Sequence, residues 1–119
     1  MERADRQYRC AMLVDDRCSV YAVRPLMCRG LASFDDAVCK LAWETDTNTV
    51  PIPVHRGQRI AVSAVEKGLM DGLTDASLDG RQLELTAALR IALETSDAAE
   101  HWLAGEPIFD AAALSGKLE

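Results

Sequence analysis

The chain has 119 residues, of which 49% are hydrophobic and only 5% aromatic, with a net charge of −6. That hydrophobic content excludes a disordered composition, and an apolar set dominated by Ala, Leu and Val favours helices over a sheet. Residues 1–40 hold seven Lys/Arg against six Asp/Glu, whereas residues 41–119 hold six against thirteen, so the acidic surface excludes nucleic acid and anionic membrane as partners of the later part.

The chain is read as a single domain, 1–119, with a cysteine-cluster region over 1–45 and a helical region over 46–119. The fold class expected is mainly α: a small, irregular, cysteine-rich N-terminal region packed on three to four helices. Residues 1–9 are polar and read as a short helix or a frayed end. Ala11–Val14 is a short apolar run, followed by a turn at Asp15-Asp16-Arg17. Ser19–Val23 supplies one or two helical turns, stopped by Arg24-Pro25 because the residue before proline is pushed out of the α region. Gly30 marks another break.

Ser33 reads as an N-cap, with Asp36 three residues on, for a helix over about 35–44. Thr45–Thr49 is a polar loop, and Val50–Val54 is extended because its two prolines remove donors and fix φ. The next helix runs from about Gly57 to Thr74, and the clearest one from Arg81 to Thr95, capped by Asp79 or Gly80. Ser96 caps a short helix ending near Gly105, and Pro107 begins a last turn through Asp110 and Leu114. Tyr21 and Trp43 read as core aromatics.

No apolar stretch approaches the ~18–20 residues a membrane span requires. The charged N-terminus has no apolar run behind it, so no signal peptide is expected and the location expected is cytoplasmic. In that compartment thiols stay reduced, so the four cysteines read as ligands or reactive thiols rather than staples. Cys10, Cys18, Cys28 and Cys39 are spaced by eight, ten and eleven residues, without the paired C-x-x-C steps of a zinc ribbon. All lie in one third of the chain, and each has a basic neighbour in sequence: Arg9, Arg17, Arg29 and Lys40. Adjacent positive charge favours the thiolate, the form that binds metal. Four thiolates suit tetrahedral zinc or an iron–sulfur cluster equally well, and the bland alternative is four buried free cysteines.

The run from Cys10 to Gly30 resembles the signature of the YkgJ-type cysteine-cluster family, a zinc- or iron-chelating domain. The resemblance rests on Cys10, the step Cys18-Ser19-Val20-Tyr21, the pair Arg24-Pro25 and the step Cys28-Arg29, with Cys39 as the later cysteine. It covers the thirty residues from Cys10 to Cys39, and more weakly Trp102–Pro107. The family pattern also has an upstream C-x-x-C-x-x-C-C cluster, which this sequence lacks. The resemblance implies a metal, zinc or iron, but not a reaction.

Arg24 and Arg29 read as residues that tune the thiolate site by hydrogen bonding. His55 is a possible extra ligand, and His101 a surface or packing residue. Asp15-Asp16 and Asp35-Asp36 read as turn and cap residues. No Ser-His-Asp order, phosphate loop or H-E-x-x-H motif is present. Three functions are therefore weighed: a metal-binding protein with no catalytic residue, an iron–sulfur enzyme module related to flagellin lysine methylases, and a metal-free helical interaction module. No protein partner is identified.

Overall fold

The computed structural model describes residues 9–45 and 49–114, so the expected helix or frayed end lies almost wholly outside the described residues, as does the middle of the expected loop at 45–49. The described chain is mainly helical, as composition predicts, with a single two-stranded hairpin. It divides into two compact units, residues 1–65 and 66–119, and the division falls inside one long helix.

The first unit opens on the hairpin, which the sequence reading did not anticipate. Leu13–Val14 (β1) pairs antiparallel with Arg17–Cys18 (β2), setting Leu13 opposite Cys18 and Val14 opposite Arg17. Asp15 and Asp16 make the connecting turn with φ of 48° and 60°. Two consecutive left-handed residues match the right-handed twist of the strands, and Asp tolerates that region better than most residues. The turn at 15–16 is where the sequence puts it; two residues on either side are too few for a periodicity to reveal.

A 3-10 turn at Tyr21–Val23 ends at Arg24, whose ψ of 147° is the extended conformation that Pro25 imposes. Leu26–Gly30 (α1) follows and stops at Gly30, where a Cβ would sit 2.9 Å from a Val62 methyl. Glycine is needed there because the backbone itself is approached. Asp36–Glu44 (α2) is capped by Asp35, which accepts from the Val38 N–H at 3.2 Å, and not by Ser33 as expected. The Ser33 hydroxyl instead donates to the Pro53 carbonyl at 2.8 Å, beside a bridge between Ser33 and Val54. The same hydroxyl accepts from the Asp35 N–H at 3.1 Å, so Ser33 belongs to the turn ahead of the helix and the long-range bridge holds it two residues before the cap.

Arg56–Asp75 (α3) matches the predicted third helix closely. In the second unit, Leu85–Glu94 (α4) starts four residues later than expected. The stretch before it is extended because it is tied to residues 112–114. Leu83 bridges Ala113, the Glu84 N–H donates to the Ala112 carbonyl, and the Leu114 N–H donates to the Gln82 carbonyl. Glu84 then caps α4, its carboxylate accepting from Thr86 and Ala87 at 3.1 and 2.6 Å.

Ala98–Leu103 (α5) begins after Asp97, a left-handed residue at φ 54° that gives no side-chain cap, and Ser96 is not the cap either. A final 3-10 turn at Asp110–Ala112 buries Ala112, which is 3% exposed. Gly80 permits a close approach within this unit: a Cβ there would lie 2.9 Å from the Met70 carbonyl.

Candidate metal centre

All four cysteines lie in the first unit, and all are free thiols. Cys10 and Cys28 are exposed, while Cys18 and Cys39 are half-buried. Cys10 directly precedes the hairpin, where its carbonyl accepts from the Leu13 N–H at 3.1 Å. Cys18 ends β2, Cys28 is the middle residue of α1, and Cys39 lies on α2.

An open cavity of about 470 Å³ is lined by Arg9, Cys10, Leu13 and Trp43. Cys10 is the one cysteine in its lining; Leu13 and Trp43 belong to the hairpin of Cys18 and the helix of Cys39. Leu13 is the cross-strand partner of Cys18, and directly opposed residues project from the same face of a hairpin. Trp43 stands four residues after Cys39 on α2, so their side chains are neighbours on the helix surface. Cys18, Cys28 and Cys39 are not in that lining, and the helix of Cys28 is fixed by Gly30 against Val62 and by Gln58, whose amide donates to the Arg29 carbonyl.

Among the described residues no three His, Cys, Asp or Glu side chains are grouped closely enough to hold a metal ion. The donor set suits a thiophilic metal by its chemistry, but its present placement does not form a closed site. Nor are most of the basic neighbours turned to the thiols. Arg9 pairs with Asp16, Lys40 with Glu44 at 3.7 Å, and Arg29 donates to the carbonyls of Ala22 and Arg24 at 2.9 and 3.2 Å. Adjacency in sequence puts consecutive side chains on different faces, so the nearest charge along the chain is not the nearest in space.

Arg24 lies over the Tyr21 ring, 3.9 Å from its centroid, and donates to the Tyr21 carbonyl at 3.2 Å. With Arg29 it braces the 3-10 turn between Cys18 and Cys28. Tyr21 is 65% exposed, so it is the platform for an arginine and not the core residue expected. Trp43, also half in solvent, walls the cavity rather than filling a core. Its place was legible only as the i, i+4 step from Cys39. His55 is exposed and sets its ring edge-on to Phe34, with centroids 5.3 Å apart. In the second unit His101 meets the Glu106 carboxylate at 2.8 Å.

No helix among the described residues is long and apolar enough to cross a membrane. Comparison with family models, with curated proteins and with solved structures finds no match to this chain.

Proposed function

We propose that this chain is a cytoplasmic metal-binding protein whose first unit holds zinc or iron through Cys10, Cys18, Cys28 and Cys39, as the YkgJ-type resemblance implies. The observation that carries the reading is the coincidence of four free thiols with a unit that buries little. Twelve of the sixteen large apolar side chains exposed among the described residues fall in residues 1–65. In that unit the one fully buried residue among those described is Gly30. A small unit with so little burial lacks the usual source of stability, and a metal cross-link is the common substitute. Cys10 lines an open cavity beside Leu13 of the hairpin and Trp43 of α2, and the donor set is soft, which suits zinc or an iron–sulfur cluster. Because the thiols are not gathered, binding in this reading is coupled to ordering of the first unit, in the manner of small metal-dependent domains.

The test is metal and sulfide analysis of protein purified anaerobically under reducing conditions. Zinc without visible absorbance, or iron with sulfide and a brown colour, supports the reading and names the metal. Protein free of both metals after such a preparation, and unable to take up either on reconstitution, refutes it. Cys39→Ser and Cys10→Ser are expected to lose the metal.

A further inference from the structure

The cavity beside Cys10 has two apolar walls, and each wall is the structural neighbour of another cysteine. Leu13 is paired across the hairpin with Cys18. Trp43 follows Cys39 by four residues on α2. Helical side chains lean toward the start of their helix, so a residue covers the surface of the turn before its own. For Trp43 that turn is the one that carries Cys39, and the cavity sets the same side chain beside Cys10. Trp43 thus joins the surroundings of two thiols that belong to different elements.

The fourth lining residue is Arg9, whose guanidinium is paired with Asp16. The positive charge at the opening is therefore already balanced, and shielding of a metal there falls to the apolar walls. Trp43 is the larger of the two, and it keeps 47% of its surface in water although tryptophan is highly buried on average. An apolar shell at a metal site controls the access of water and of competing ligands. Leu41 provides the contrast on the same helix. It is 50% exposed but is not in the cavity lining, since two residues along a helix turn it about 200° around the axis from Trp43.

We propose that Trp43 is the shield of the metal site, its indole covering the ion between Cys10 and Cys39 and setting how fast that ion is lost. The inference rests on the metal-binding reading and adds the residue that controls access to the metal.

The full chain is loaded anaerobically with zinc, or with iron and sulfide, and two quantities are measured. Metal bound per chain reports the metal-binding reading, and the rate at which a chelator strips it reports the role of Trp43. Trp43→Ala is expected to bind the wild-type amount and to release it on the order of ten times faster. Trp43→Phe keeps a ring and is expected near the wild-type rate, as is Leu41→Ala. A second readout is fluorescence, because cobalt(II) in the zinc site, or an iron–sulfur cluster itself, quenches an indole close to it. That quenching is expected in wild type and absent in Trp43→Phe, whose remaining tryptophan, Trp102, belongs to the second unit. If Trp43→Ala loses helix by circular dichroism, the quenching comparison decides alone. Unchanged release from Trp43→Ala, equal acceleration in Leu41→Ala, or quenching retained in Trp43→Phe overturns the proposal while the bound metal still supports the reading. Wild-type protein that takes up no metal refutes the reading and the proposal with it.

Discussion

The two units of this chain are stabilised differently. In residues 66–119 the run from Gln82 to Leu89 contains no exposed residue, and it is closed by backbone bonds to residues 112–114 and by the Trp102 indole donating to the Asp79 carbonyl. In residues 1–65 the elements are shorter, and most large apolar side chains stay in water. There the order comes from turn residues, caps and arginine-to-carbonyl bonds around residues 21–35. A bond of that kind contributes about 1 kcal/mol net, whereas burying one Leu or Ile fully contributes roughly 1.5–3 kcal/mol. A segment built on the first kind of contact gains most from a cross-link, which is the physical ground for the metal site proposed for this unit.

The strongest way to break this contrast is to remove the proposed metal. Structural zinc can contribute on the order of 10 kcal/mol to a small domain. A chelator, or Cys39→Ser, should therefore abolish amide-exchange protection across residues 9–45 while residues 82–114 retain theirs. Equal loss in both units would show that the contrast is unreal.

The second unit should respond to packing instead. Gly80→Val places a branched side chain where a Cβ would already lie 2.9 Å from the Met70 carbonyl and 3.2 Å from Leu73. Because a backbone carbonyl cannot rotate away, the cost should be about 1–3 kcal/mol in urea unfolding. Glu84→Ala removes the cap of α4 and should cost about 1 kcal/mol by the same measurement.

The smallest effect is expected from acid. The Arg81 guanidinium, hydrogen-bonded to Asp79 at 2.8 and 2.9 Å, holds the Asp79 carboxyl below its ordinary value of 3.8. A carboxyl lowered by folding gives stability that is present above its unfolded value and lost as pH falls through the folded one. Wild-type protein should therefore lose a modest increment of stability below about pH 4, and Asp79→Asn should flatten that part of the profile. An unchanged slope in the variant would show that the pair is too exposed to matter.

Much of the backbone was legible from local chemistry. Pro25 ends the 3-10 turn, the prolines at 51 and 53 keep their segment out of a helix, and the third helix lies where its apolar spacing puts it. Asp15-Asp16 and Asp35 act as turn and cap because their side chains and tolerated φ values require only near neighbours. Two of the misjudged boundaries involve partners far along the chain. Ser33 is held by Pro53 and Val54 two residues ahead of the cap, and residues 82–84 left a helical pattern for the bridge at Ala113.

The candidate site divides the same way. Sequence alone gathered four cysteines into one third of the chain, because that is a matter of counting and redox chemistry. Only tertiary structure could set Cys10, Leu13 and Trp43 around one cavity, leave Cys18, Cys28 and Cys39 out of its lining, and turn Arg9 and Lys40 to carboxylates. The physical reason is the range of the forces involved. Turn preferences and caps act within a few residues, while the direction a thiol or a guanidinium takes depends on which surfaces folding brings alongside it.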